Sequence, residues 1–376
     1  MRTKISIFLD SLRIAAALTV YFSHCAQLWS PDIYKVLGPI SFGAVVVFFV
    51  LSGYVIAATT SSKDNSPHRY VVARLSRLYS ALLPALLLAG ILELIGRRMD
   101  PGFYADFSRG HDVLRYAWAS IFLQNVWWMS ASPPTDPPMW SLCYEFWYYA
   151  IFGMAIFSKG GPKRRLLLVL AIALIAGPNV LLLMPCWLSG ALVYVAGSRY
   201  AASPGRTYGC FILAVAAFLF FLLVVPNYPK PLGTPPFYFS AAFVSDWSLA
   251  AAVAFMIAGC DSWVRSNLDD TVVHGAAAKA IRNWADHTFP LYLYHFPILA
   301  FVTATVPFDK NSAWQRLAMT VATLAVVLVL SWATESQRKR WKSLFEWFWD
   351  AARAAFVSET SAVLLDGDNA TRRRGV

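Results

Sequence analysis

Residues 8–24 read FLDSLRIAAALTVYFSH, an apolar run interrupted by Asp10, Arg13 and His24. The pattern predicts a helix long enough to enter a bilayer. Ionisable groups are rare in such helices, because each is costly at the membrane centre. Arg13 and His24 are eleven residues apart. That is about three helical turns, so the two side chains share one face, roughly 16 Å apart along the axis. Asp10 precedes Arg13 by three residues and is placed to pair with it. One face of the first helix is therefore polar and must look into protein or a wet cavity. A structural Asp10–Arg13 pair beside a hydrogen-bonded His24 is the plainer alternative.

The rest of the chain sets the context. Of 376 residues, 58% are apolar and 14% charged, and the mean hydropathy is +0.51. A soluble domain would carry about 25% charged residues. Apolar runs recur at lengths that fit the hydrocarbon core. The expected class is an all-α polytopic membrane protein of about ten transmembrane helices with both termini cytoplasmic. The spans expected are 5–29, 38–58, 75–96, 139–157, 165–181, 184–199, 207–225, 241–260, 284–306 and 314–334. Segment 113–130 carries Gln124, Asn125 and tryptophans, and reads as a re-entrant or interfacial piece. The first helix lacks a convincing cleavage site and is expected to be retained as a span.

Charge supports this orientation. The net charge is +11, but the basic residues cluster in short loops between spans. Of the 32 Lys and Arg residues, 23 fall in segments expected inside and 7 in segments expected outside, with Arg13 and Arg316 within spans. That asymmetry follows the positive-inside rule, and no nucleic-acid partner is expected. The five cysteines have no metal-like spacing and read as small core residues.

Three regions make up the chain in this reading. Residues 1–335 form the transmembrane body. Residues 336–357 form a basic amphipathic helix, with Trp341, Leu344, Phe345, Phe348, Ala352 and Phe356 on one face for the inner leaflet. Residues 358–376 read as a disordered tail. Two outer loops, 97–138 and 226–240, are rich in Pro; they suit a stiff cover over a site facing outward, or simply connect spans.

Four further places break the apolar pattern. FFVLSGYVIA (48–57) carries Ser52 and Gly53, where Gly permits close backbone approach and Ser bonds across helices. RLSR (74–77) puts Arg74 and Arg77 on one face at the inner end of the third span. They serve either as topology anchors or as a paired guanidinium site for an anionic ligand such as a nucleotide-phosphate tail. PPMWSLCYEFWYYAIF (137–152) carries Glu145 about two turns below the outer surface, with Ser141, Tyr148 and Tyr149 as local partners by spacing. FPLYLYHFPIL (289–299) carries His295 beside Pro297, which leaves the Leu293 carbonyl without its usual donor.

Five groups on three helices, Asp10, Arg13, His24, Glu145 and His295, point to a functional cavity. No metal-ligand spacing is present, and Cys25 points about 100° away from His24. A neutral His near an Arg or a carboxylate suits general-base activation of a hydroxyl.

The landmarks together resemble the membrane-bound acyltransferase type 3 family. LDSLRIAAALTVYFSH is similar to its first-helix signature LDGLRxxAxxxVxxxH. FFVLSGYVI resembles FFVLSGFLI, and RLSRLYS resembles RxxRIYP. LQN followed by MWSLCYEFWYY resembles QNW…LWSLSVEWQFY, and LYLYHFPIL resembles YSLYLWHWPVL. Val46 stands where many members carry an acid, and Ser80 where they carry Pro, with Pro84 shortly after.

The resemblance implies a ten-span enzyme of the bacterial inner membrane. Members move an acyl group, often acetyl, from cytosolic acyl-coenzyme A to a hydroxyl of a carbohydrate or similar acceptor. The family's essential His falls on His24, its partner Arg on Arg13, its donor-binding pair on Arg74 and Arg77, and its Glu on Glu145. On this reading acyl-coenzyme A is a substrate, and no permanently bound cofactor or metal is expected. Ser52 and Gly53 would let the pantetheine arm approach, and Asp10 would hold Arg13. The competing class is a transporter or flippase of a glycan or small anion, which would explain polar groups in spans without transfer chemistry.

Overall fold

A computed structural model describes residues 3–197, 204–267, 275–335, 337–351 and 353–354. The protein is all-helical: α1 (Thr3–Trp29), α2 (Pro31–Thr60), α3 (Pro67–Met99), α4 (Pro101–Ala105), α5 (Asp112–Ser120), α6 (Trp140–Phe157), α7 (Pro162–Gly197), α8 (Pro204–Leu223), α9 (Phe243–Asn267), α10 (Ala276–Thr305) and α11 (Ala313–Glu335), with a 3₁₀ turn at Pro137–Met139. Among the described residues, six helices are long and apolar enough to cross a membrane: Ile5–Trp29, Pro31–Thr60, Pro67–Met99, Pro162–Gly197, Phe243–Val264 and Ala313–Thr334.

Local sequence explains the helix starts. Pro sits in the first turn of α2, α3 and α4, where its missing N–H costs nothing. Ser66 caps α3, its hydroxyl accepting from the Arg69 amide at 3.3 Å.

The expected break between 181 and 184 falls earlier, at Gly177. Its φ of 79° and ψ of 175° are non-helical inside α7, and glycine adopts such a backbone without steric cost. A Cβ there would also lie 2.6 Å from the Trp127 backbone. The chain turns back at this point. Arg165 donates to the Ser158 carbonyl at the end of α6. The Ala176 carbonyl accepts from the Trp127 amide, and Tyr194 packs on Tyr54 near the end of α2. Segments 162–176 and 178–197 thus run in opposite directions.

Segment 113–130 forms no long helix. Arg97 binds Asp112 at 2.7 Å, and Tyr116 donates to Glu93 at 3.0 Å. Tyr79 donates to the Ser120 carbonyl at 3.0 Å. So α5 runs back along α3, and Phe122 then stacks on Phe146 of α6. The segment thus folds back on α3 and α6 rather than running on as one long helix.

Helix α2 crosses the second half of α7 at backbone contact. A Cβ on Gly53 would lie 1.9 Å from the Trp187 carbonyl oxygen, and one on Gly190 1.9 Å from that of Val50. Small residues let helices approach this closely. On the opposite side α1 packs on α10 and α11. Trp29 donates to Thr303 at 2.8 Å, and Tyr21 to the Thr320 carbonyl at 2.6 Å. The polar face of α1 therefore looks into protein.

Residues 338–351 are helical. Trp341 and Phe345 pack on Tyr79, and Trp349 on His68, so part of the expected lipid-facing stripe is turned to α3 instead. Leu344 and Phe348 stay exposed. Ala352, Phe356 and the 358–376 tail lie outside the described residues. Cys25, Cys143, Cys186 and Cys260 are free, the first three buried.

Candidate active site

A cavity of about 750 Å³, counted to its mouth, lies between α1, α2, α3, α6 and α10. Arg13, Ser52, Arg74, Arg77, Ser141, Glu145, Tyr149 and Tyr292 supply its polar wall. Phe48, Phe49, Leu51, Val55 and Phe289 supply most of the rest. A polar end and an apolar throat suit an amphipathic ligand.

The polar wall is built in two tiers. At the end near the 61–66 turn, Arg74 pairs with Asp64 and lies over the rings of Tyr70 and Tyr149, 5.8 and 5.9 Å from their centres. Arg77 lies over Phe289 at 5.4 Å and has no carboxylate partner among the described residues. An unpaired guanidinium on a cavity wall is available to an anion. Arg13 sits 3.8 Å from Asp10, as the spacing predicts.

Glu145 anchors the second tier. Its Oε1 accepts from Ser52 at 2.6 Å and from the Tyr149 hydroxyl. Trp187 Nε1 donates to Ser52 Oγ at 3.1 Å, tying the tier to α7. These bonds satisfy a carboxylate that would otherwise be costly to bury. Ser141 and Tyr292 close the far end, hydroxyl to hydroxyl at 2.8 Å, and Tyr292 also donates to the Pro138 carbonyl at 2.9 Å.

His24 and His295 are not on this wall. They form a pair beyond it, His24 Nδ1 to His295 Nε2 at 2.7 Å, with the two rings edge to edge, their centres 5.0 Å apart and their planes within 16°. Tyr292 lines the cavity and its ring centre is 6.2 Å from that of His295. Phe48 packs against Tyr292 at 5.9 Å. The Tyr292 ring thus lies between the cavity and His295, with Phe48 packed against it on the cavity wall. On the other side His24 meets Phe296, which touches Phe107 of the 100–139 loop. His295 is fully buried and His24 only half-buried.

The other expected site residues distribute as follows. Ser52 faces the cavity. Gly53 does not, because it makes the crossing with α7, so close approach of a pantetheine arm at Gly53 has no place in this geometry. Tyr148 is also turned away, donating to the Val180 carbonyl at 2.9 Å. Asp64 and Tyr292 were not singled out by the sequence. Tyr292 lies in the same stretch as His295, one turn earlier; Asp64 carries no local signal.

The described residues thus combine an all-helical body, an arginine-lined cavity, a hydrogen-bonded carboxylate and a histidine pair. Residues 6–335 match the acyltransferase domain model of the type 3 family, and the chain belongs to that family. Among curated proteins, an O-acetyl transferase of Shigella phage Sf6 is 28% identical over 199 residues, covering 48% of this chain and 56% of the phage protein. Peptidoglycan O-acetyltransferase OatA of Listeria monocytogenes is 24% identical over 371 residues, covering 85% of this chain and 53% of OatA. The chain thus spans about half the length of these relatives. No solved structure matches it.

Proposed function

We propose that the chain is an integral-membrane O-acyltransferase of the bacterial inner membrane, moving an acyl group, acetyl foremost, from acyl-coenzyme A to a hydroxyl of a carbohydrate-type acceptor. The observation that carries this reading is the placement of Arg13 and Arg77 on one cavity, with His24 further along the same α1 face beyond Tyr292. Family membership supports acyl transfer, and the names of the two relatives support acetyl and a glycan. Six long apolar helices among the described residues support a polytopic body; on this reading the shorter or more polar long helices and the two halves of α7 also cross, giving ten spans with both ends on the cytoplasmic side by the positive-inside rule.

In this mechanism Arg77, with Arg74 behind it, receives the coenzyme's phosphates at the cytoplasmic mouth. The pantetheine arm lies along Phe289, Val55 and Phe48, and its thioester reaches the Tyr292 end. The acceptor approaches His24 from the side of the 100–139 loop. His24 removes the hydroxyl proton as that oxygen attacks the thioester carbonyl. The carbon–sulfur bond breaks, the thiolate takes the proton back from His24, and ester and free coenzyme A leave. Arg13 steadies negative charge on the donor side.

The test is ester formation. Vesicles containing the purified chain, loaded with labelled acetyl-coenzyme A and given peptidoglycan or envelope polysaccharide outside, should place base-labile label on the glycan. Movement of an intact glycan or anion with no label transferred would favour a transporter.

A further inference from the structure

The histidine pair carries more than one proton-accepting ring. His295 Nδ1 lies 2.9 Å from the Leu291 carbonyl oxygen, one turn back in α10. A carbonyl can only accept, so Nδ1 of His295 bears the hydrogen. A neutral ring protonated there leaves Nε2 with a lone pair, and that Nε2 faces His24 Nδ1 at 2.7 Å. For both bonds to form between neutral rings, His24 must donate from Nδ1. Its Nε2 is then unprotonated. No ion pair to a carboxylate is made by either ring among the described residues. The carbonyl and the second histidine together occupy the position an orienting carboxylate holds in a hydrolase triad.

The backbone explains why this ring can be held so firmly. His295 is 1% exposed. Tyr21, Tyr292 and Phe296 surround it, with ring centres 6.1, 6.2 and 6.5 Å away. Pro290 and Pro297 flank it within α10. A buried imidazole wedged among rings has one rotamer and keeps one bond direction.

We infer that His295 is a positioning residue, fixing His24 as the Nδ1–H tautomer so that Nε2 is the base presented to the acceptor hydroxyl. This rests on the reading of His24 as the proton acceptor. The tautomer itself, however, can be measured without any turnover.

The experiment has a spectroscopic and a kinetic arm. The full chain in nanodiscs, labelled with ¹⁵N-histidine, is compared with His24→Ala to assign the His24 signals. The expected result is a protonated Nδ1 and a bare Nε2 on His24, changing to a mixture or to the opposite tautomer in His295→Leu. In the kinetic arm, His295→Gln keeps an acceptor oxygen near the place of Nε2 and should hold turnover within several-fold of the parent. His295→Leu should lose on the order of 10- to 100-fold in turnover with the donor KM unchanged, the range seen when orienting partners are removed. A wild-type His24 protonated on Nε2 would overturn the inference. So would Gln and Leu variants that are equally active, or equally inactive with the same loss of thermal stability. If the wild type shows the expected tautomer but no acyl transfer, the proposed function fails and the positioning of His24 stands.

Discussion

Arg13 and His24 share one face of α1, yet only Arg13 opens on the cavity; the Tyr292 ring, which lines the cavity, lies against His295 of the histidine pair. The protein thus keeps a cationic chamber and a basic ring on two sides of one aromatic partition. In the mechanism proposed above, a thioester on one side and a hydroxyl on the other would meet at this ring, and the ring would shield the donor from water.

Tyr292→Ala should breach the partition. Release of free coenzyme A from acetyl-coenzyme A in the absence of acceptor should rise several-fold, while transfer per donor consumed falls. Tyr292→Phe keeps the ring and loses two hydroxyl contacts. It should cost about 1 kcal/mol of stability and leave the ratio of transfer to hydrolysis unchanged. Thiol release measured with and without glycan distinguishes the two variants.

The two arginines of RLSR should behave differently. Arg77 has no carboxylate partner among the described residues, whereas Arg74 is held by Asp64. Arg77→Ala should raise the donor KM about tenfold or more with little loss of protein. Arg74→Ala leaves the partly buried Asp64 without its cation and should lower thermal stability as well. Arg74→Ala with Asp64→Asn should recover much of that loss. Donor titrations alongside melting curves check both.

Gly53→Ala should damage the fold rather than the chemistry. Its Cβ would sit 1.9 Å from the Trp187 carbonyl oxygen, so α2 and α7 must separate. Overpacking of this kind costs about 1–3 kcal/mol. The expected result is a lower melting temperature with an unchanged donor KM in the protein that remains folded.

Asp136, in the loop before α6, is fully buried with neither carboxylate oxygen bonded. Burial raises its pKa well above the ordinary 3.8. The folded state therefore holds this proton more tightly than the unfolded chain. Its stabilising effect is full below pH 3.8 and is lost as pH rises towards the folded value, by up to about 1.4 kcal/mol per pH unit. Asp136→Asn removes that dependence. The stability of the Asn variant relative to the parent should grow from pH 4 upwards, as read from melting curves across pH.

Much of this was legible in the chain. The α1 polar face, the Asp10–Arg13 pair and the folded-back 113–130 piece follow from spacing and composition, which are local. Gly177 was legible in principle, since a Gly-Pro step at 177–178 marks a turn, but the apolar run through Leu181–Leu183 hides it. What was not legible is long-range. That Gly53 meets Gly190 and that Tyr292 divides the cavity from His295 depend on which helices become neighbours, while the reach of Asp64 to Arg74 depends on how the 61–66 turn bends. Periodicity within one helix carries no information about that. Tyr148 and Tyr149 show the limit clearly. They are adjacent in sequence, but one bonds the Val180 carbonyl and the other Glu145.

In the proposed mechanism His24 takes the proton of the attacking hydroxyl while the cavity holds the donor. Measuring acetyl-coenzyme A binding and acetyl transfer on one preparation of His24→Ala in vesicles separates the two roles. Donor binding should stay within about twofold of the parent and transfer should fall by about 10²-fold or more, the usual range for loss of a general base. Transfer persisting at near-parent rates in a folded His24→Ala protein would contradict that mechanism.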